Sequence, residues 1–321
     1  MTAPTTLVVG FPVRYVKREL MRAQNLTISI PYKGCDKNCP YCVSRMTGNV
    51  NNTDSGLNMM RNIPKVITLA KAAQITSVLL TGKGEPFLNF KDVLAFTKAF
   101  SEFPVEIQTN GKWLSNHTFN ETPEPGYIKE NSCPSHKQES CLSDLFLAGM
   151  NVISISIDNT NDIPRFKEVV KELHKTGMLV RVTFNITEKL SLSCDHGKVP
   201  LTFINLVKQC KIWGVDQMTL RNICIPNNTE ETSQTLWIKE NVKPETYNRL
   251  RGEMKESCES KGFLVRNLPY GAKVYDFMGV SISFSDYCIQ DSNDGDDIRS
   301  LIYLEDGGLY TSWNSKASRL F

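Results

Sequence analysis

Six short, largely β-branched apolar segments recur along this chain of 321 residues, at about 26–31, 77–81, 105–109, 152–157, 179–185 and 216–221. Between them lie longer stretches with helical spacing, at roughly 57–74, 90–102, 163–177 and 200–213. Strands that alternate with helices form βαβ units on a parallel sheet. The expected fold class is therefore α/β: a partial (β/α)6 barrel of parallel strands with a small C-terminal α+β extension. In such barrels the chemistry gathers at the C-terminal ends of the strands.

Two regions break the rhythm. Residues 113–142 are rich in Asn, Ser, Pro and Glu and read as a long surface insertion. A helical stretch near 243–261 follows the sixth unit, and after Phe263 the pattern turns to short strands. There Asp306-Gly307-Gly308 separates two apolar runs and predicts a hairpin. The expected division is an N-terminal extension over 1–24, a barrel core over 25–225 and a C-terminal extension over 226–321 covering the barrel mouth.

A hydrophobic fraction of 40% with 22% charged residues belongs to an ordinary globular protein. A net charge of +3 gives no global pull toward a nucleic-acid backbone or an acidic membrane surface. No apolar run reaches the ~18 residues of a membrane span, so no membrane partner is expected. The N-terminus has no signal-peptide pattern, which makes the cytoplasm the expected location. The ten cysteines are accordingly read as reduced thiols, some of them metal ligands. The match Asn25-Leu26-Thr27 is read as accidental.

Cys35, Cys39 and Cys42 form C-x3-C-x2-C directly after the first strand. Three thiolates this close together can hold three corners of one compact cluster, and soft thiolates select iron–sulfur clusters or zinc. A cubane bound by only three protein ligands leaves one iron open to an exogenous ligand. A structural zinc site would want a fourth Cys or His, and none lies nearby in sequence.

This spacing, with Tyr41 before the last cysteine, resembles the signature of the radical S-adenosylmethionine (radical SAM) superfamily. The resemblance spans roughly residues 26–222. It implies a 4Fe–4S cluster on Cys35, Cys39 and Cys42 whose unique iron is chelated by S-adenosylmethionine (SAM). It further implies reductive cleavage of SAM and abstraction of hydrogen from an organic substrate by the 5′-deoxyadenosyl radical. Thr81-Gly82-Lys83-Gly84-Glu85-Pro86 after the second strand is similar to the family's Gly-Gly-Glu-Pro motif, which meets the SAM amino group. Lys83 stands where that motif has its first glycine. Thr109-Asn110-Gly111 resembles a common family ending of the third strand.

The fourth strand places Ile153, Ile155 and Ile157 on one face and Ser154, Ser156 and Asp158 on the other. A polar face on a central strand is costly unless it borders water or a ligand. The fifth strand repeats the pattern in Arg181, Thr183 and Asn185, and the sixth ends at Thr219 and Arg221. By the resemblance, Ser156, Asn185 and Arg221 join Tyr41, Gly82, Lys83, Gly84 and Glu85 in binding SAM, with Arg221 suited to its carboxylate. An ordinary structural role is open for each of them taken singly.

His117, Cys133, His136 and Cys141 offer an irregular zinc alternative in the insertion. Cys210, Cys224, Cys258 and Cys288 are too scattered to read as an auxiliary cluster and are taken as buried or idle thiols. The tail aromatics Tyr270, Tyr275, Tyr287, Tyr303, Tyr310 and Trp313 are read as core packing ahead of a pocket lining.

The leading functional reading is a radical SAM enzyme acting on a small molecule such as a nucleotide or cofactor precursor. Flavodoxin or ferredoxin is the implied reductant. Peptide-modifying and tRNA-modifying enzymes are the rivals within the family. A non-catalytic zinc or iron–sulfur electron-transfer protein is the rival from another class. No side chain is assigned as catalytic.

Overall fold

The computed structural model describes residues 22–46, 55–118, 138–159, 162–163, 165–194, 197–225, 229–268, 273–283, 297–313 and 315–321. Strand β1 (Arg22–Ile30) leads through a short helix α1 (Val43–Met46) and α2 (Ser55–Ala72) to β2 (Ser77–Gly82). Helix α3 (Phe90–Ala99) precedes β3 (Val105–Thr109), and α4 (Lys112–Thr118) and α5 (Gln138–Leu147) precede β4 (Met150–Ile157). Helix α6 (Phe166–Lys175) leads to β5 (Leu179–Ile186). A small hairpin of β6 (Leu192–Cys194) and β7 (Gly197–Val199) comes before α7 (Phe203–Trp213) and β8 (Gln217–Asn222). The chain continues through α8 (Ser233–Asn241), α9 (Pro244–Lys261), β9 (Phe263–Asn267), β10 (Lys273–Phe277), β11 (Val280–Ser283), β12 (Asp297–Tyr303) and β13 (Leu309–Tyr310).

Strands β1, β2, β3, β4, β5 and β8 lie side by side in that order, all parallel. They are the six segments expected from the alternation, and they form an unclosed partial barrel. The C-terminal segment then extends this sheet at both edges. Strand β11 pairs parallel with β8, while β12 pairs parallel with β1. The expected hairpin exists: β12 and β13 are antiparallel, Gly307 takes φ +75° and Asp306 Oδ1 accepts from the Gly308 N–H at 2.9 Å. That edge addition was not readable in advance, because a tail strand carries no mark of which edge it will meet.

Helices α3, α6, α7 and α9 each bury a stripe at helical spacing. On α6 the stripe is Phe166, Val169, Val170 and Leu173. Thr202 caps α7, accepting from the Asn205 N–H, and Gly214 ends it in the left-handed region at φ +80°. The outer face supplies Leu26, Ile28, Val78, Leu80, Ile107, Ile153, Ile155, Val180, Val182, Met218 and Leu220, all buried. The inner face, in register across the strands, carries Glu106, Gln108, Ser154, Ser156, Arg181, Thr183, Asn185, Gln217, Thr219 and Arg221.

The insertion differs from expectation at its ends. Trp113 and Leu114 on α4, and Cys141, Leu142 and Leu145 on α5, are buried. Trp113 stacks on Phe87 and Phe90 at centroid distances of 4.8 and 5.3 Å. A parallel crossover from β3 to β4 must cover the sheet between them, and these two helix ends do so. Cys141 is disulfide-bonded, which corrects the reading of all ten cysteines as reduced. Cys133 and His136 lie outside the described residues, as does the side chain of His117. Cys210 and Cys258 are free and buried on α7 and α9, and burial pushes both thiols up, Cys258 to about 12. Cys224 is also free, while Cys288, Tyr270 and Tyr287 lie outside the described residues. Tyr275, Tyr303 and Tyr310 are core residues, as expected of the tail aromatics, but Trp313 is exposed, since it lies beyond β13 where no described element covers it. Among the described residues no helix is long and apolar enough to cross a membrane.

Candidate functional site

The loop carrying Cys35, Cys39 and Cys42 leaves β1 at the C-terminal edge of the sheet and runs into α1. Gly34 opens it at φ +116°, a conformation that side-chain-bearing residues rarely adopt. The Cys42 N–H donates to the Cys39 carbonyl at 3.2 Å, and the Arg45 and Met46 N–H groups donate to the Cys42 carbonyl. All three thiols are free, with Cys35 exposed and the other two half-buried. Among the described residues no three Cys, His, Asp or Glu side chains converge as ligands of a single ion must. A cubane makes a looser demand than a single ion, because its thiolates bind three different irons of one cluster. Burial raises the Cys35 thiol and, with Asp158 adding to it, pushes Cys39 up to about 12. Metal binding at this loop therefore displaces protons.

Asp158, just past the end of β4, ties the loop to the strands. Its Oδ1 accepts from the Tyr41 hydroxyl and, at 2.8 Å, from Asn185 Nδ2. Its Oδ2 pairs with Lys37 Nζ at 2.5 Å, and Lys37 also reaches Asp162 at 3.1 Å. Burial works against the Lys37 ammonium, but Asp158 and Asp162 outweigh it and hold its pKa above the usual lysine range. Asn185 Nδ2 also donates to the Tyr41 hydroxyl at 3.1 Å. From α8, Trp237 packs against Tyr41 at 5.7 Å, and Lys189 lies 5.2 Å from the Trp237 ring.

The turn after β2 is locked to the loop and to β3. Glu85 is buried, and its N–H donates to the Gly34 carbonyl at 3.0 Å. Its Oε1 accepts from Thr109 Oγ1 at 2.7 Å and the Phe87 N–H at 3.1 Å, and its Oε2 from the Asn110 N–H at 2.8 Å. Burial outweighs these bonds and raises its carboxyl to about 7. Gly84 sits so close to the loop that a Cβ there would meet the Gly34 carbonyl oxygen at 2.0 Å and the Tyr32 ring at 2.9 Å. Asn110 Nδ2 donates to Asp36 Oδ1 at 2.6 Å, and Lys112 Nζ to the Asp36 carbonyl at 2.9 Å.

The fold thus joins the cysteine loop, Tyr41 and Asn185 in one network, and Gly82–Glu85 to the same loop in another. Ser156 and Arg221 lie on the inner face, Ser156 level with Thr183 and Arg221 level with Asn185. Neither makes a side-chain hydrogen bond to those networks. Deeper in, Arg181 pairs with Glu106 and donates to Gln217 Oε1 at 2.8 Å. Burial raises the Glu106 carboxyl despite the nearby Arg181 and Arg221. Among the described residues two buried side-chain oxygens lack any partner, Asp36 Oδ2 and Asn185 Oδ1. Both are acceptors beside the cysteine loop, suited to a ligand with N–H or O–H groups. Sequence reasoning gave no role to Lys37, Asp36 or Trp237. Lys37 and Asp36 carried a signal, since both sit inside the cysteine motif.

Residues 25–122 match the family described as a 4Fe–4S single cluster domain, a span that includes all three cysteines. The chain is 23% identical over 205 residues to 7-carboxy-7-deazaguanine synthase of Clostridium acetobutylicum, covering 61% of this chain and 86% of that protein. Its fold resembles Streptococcus suis SuiB bound to S-adenosylmethionine, with a TM-score of 0.52 and 13% identity over 90% of this chain. SuiB bound to the precursor peptide SuiA gives the same TM-score at 15% identity. The chain spans 60% of the length of the SAM-bound SuiB chain.

Proposed function

We propose that this chain is a radical SAM enzyme that uses a 4Fe–4S cluster and S-adenosylmethionine and acts on a small polar molecule of the nucleotide or cofactor-precursor class. In this reading Cys35, Cys39 and Cys42 hold three irons of the cluster. Gly82, Lys83, Gly84 and Glu85 frame the SAM ammonium, Tyr41, Ser156 and Asn185 face its nucleoside, and Arg221 faces its carboxylate. Bound together and reduced by a flavodoxin or ferredoxin, the cofactors supply a radical that takes hydrogen from the substrate. The protein's part is to position the reactants and exclude water.

The observation that carries the reading is the inner face of the sheet, polar strand after strand from Gln108 to Arg221, which suits a compact heterocycle better than an apolar side chain. The relative named as a 7-carboxy-7-deazaguanine synthase is named for a compact heterocyclic product and is matched over 86% of its length. The SuiB likeness, at 13–15% identity, supports a peptide substrate only through fold.

Anaerobic reconstitution with iron and sulfide tests the proposal. The expected result is a reduced-state EPR signal that changes on adding SAM, with release of 5′-deoxyadenosine under a strong reductant. Cys39→Ala should lose both while the barrel stays folded. A colourless, zinc-loaded protein indifferent to SAM would overturn the reading.

A further inference from the structure

Helix α8 is seated at the end of the sheet that carries the cysteine loop. Thr232 opens it with a capping box: its Oγ1 accepts from the Thr235 N–H at 3.2 Å, and Thr235 Oγ1 accepts from the Thr232 N–H at 2.8 Å. Thr235 and Ile238 turn inward and are buried. At its other end the Asn241 carbonyl accepts from the Glu188 N–H at 2.9 Å, just past β5. Trp237 is half-buried, with Lys189 Nζ 5.2 Å from its ring and the Tyr41 ring 5.7 Å away at an interplanar angle of 42°.

Tyr41 is thereby held at two points. Its hydroxyl donates to Asp158 Oδ1 and accepts from Asn185 Nδ2, while its ring lies against Trp237. The next residue is Cys42, whose carbonyl accepts from the Arg45 and Met46 N–H groups of α1. A phenol tethered only through its hydroxyl can still swing about that tether, and a contact on the ring removes the freedom. We propose that Trp237 is a positioning residue that packs on Tyr41 and so fixes Cys42 relative to Asn185 at the end of β5. This rests on the reading of Cys35, Cys39 and Cys42 as cluster ligands and of Asn185 as facing SAM. A helix outside the six-stranded core thus sets the spacing between the cluster loop and the nucleoside.

The test compares Trp237→Ala, Trp237→Phe and a double-mutant cycle with Tyr41→Leu, using two readouts. The first is amide hydrogen exchange over residues 35–42 in the full-length, metal-free protein. The second is the SAM dissociation constant of the anaerobically reconstituted protein by equilibrium dialysis. Trp237→Ala should speed the loop's exchange and weaken SAM binding, each about three- to tenfold, the scale of one aromatic pair. Trp237→Phe keeps a ring against Tyr41 and should return both to within about twofold of the parent. In the Tyr41→Leu background, where the ring is already gone, adding Trp237→Ala should change either readout by less than about twofold.

Unchanged exchange over residues 35–42 in Trp237→Ala overturns the proposal, because a tryptophan that merely seats α8 would leave that loop alone. A loss that phenylalanine does not repair overturns it too, as does a loss of full size in the Tyr41→Leu background. Should Trp237→Ala fail to fold, Trp237→Leu takes its place, and equal exchange in the Leu and Phe variants would refute the ring contact. A parent protein that assembles no cluster, or assembles one and binds no SAM, would instead overturn the reading of the site. Exchange in the metal-free protein would still decide the role of Trp237.

Discussion

Replacing Glu85 by glutamine probes the tie between the cysteine loop, β2 and β3 through its pH dependence. The carboxylate is buried and accepts from the Thr109 hydroxyl and from the Phe87 and Asn110 N–H groups. Burial still leaves its pKa at about 7, against an ordinary 4.5. A carboxyl raised on folding contributes stability that is fully present below the unfolded value and is lost as pH climbs through the folded one. At 1.36 kcal/mol per unit, the loss between about pH 5 and about pH 8 comes to about 2–3 kcal/mol.

Glutamine cannot ionise, so it removes this slope. It also turns one acceptor into a donor facing the Asn110 N–H or the Thr109 and Phe87 pair, at a cost of about 1–3 kcal/mol. Chemical denaturation of the metal-free parent and variant across this range should show the variant clearly less stable at the acid end. The gap should close by about 2–3 kcal/mol toward the alkaline end. A gap that stays constant, or widens as pH rises, would refute the assignment of a raised pKa to this group.

Three further variants test the packing and the loop anchor. Gly84→Ala should destabilise the protein by about 1–3 kcal/mol, because its Cβ would collide with the Gly34 carbonyl. Gly252→Ala, on α9 with open space around it, should instead stabilise by about 0.5–1 kcal/mol, and equal denaturation midpoints for the two would contradict the packing argument. Asp158→Asn removes the anion that holds Lys37 and weakens the joint with Tyr41 and Asn185, so loop residues 35–42 should exchange amide hydrogen roughly tenfold faster. Unchanged exchange in that loop would show that Asp158 does not anchor it.

The parallel core was legible because its six strands alternate with helices in sequence order, and each pairs with the next. The inner polar face was legible for the same reason: a strand's period of two shows in the Ser154-Ser156-Asp158 series without knowledge of any neighbour. The cysteine loop was readable because its spacing is local. Where the reading failed, contacts were remote. Trp113 and Leu114 looked like the start of a surface insertion, and only their packing on Phe87 and Phe90 makes them core.

What the sequence settled by itself, then, was the order of the elements, the face each strand turns inward and the cluster-binding motif, since all three are encoded over a few adjacent residues. The tertiary structure alone decided that β12 would lie beside β1 and bring Glu305 to Ser29, and that Asp158 would gather Lys37, Tyr41 and Asn185. Those partners are separated by more than a hundred residues, apart from Asp158 and Asn185. Pairings across such distances are fixed by burial and charge balance in the folded chain, and a linear pattern carries no trace of them.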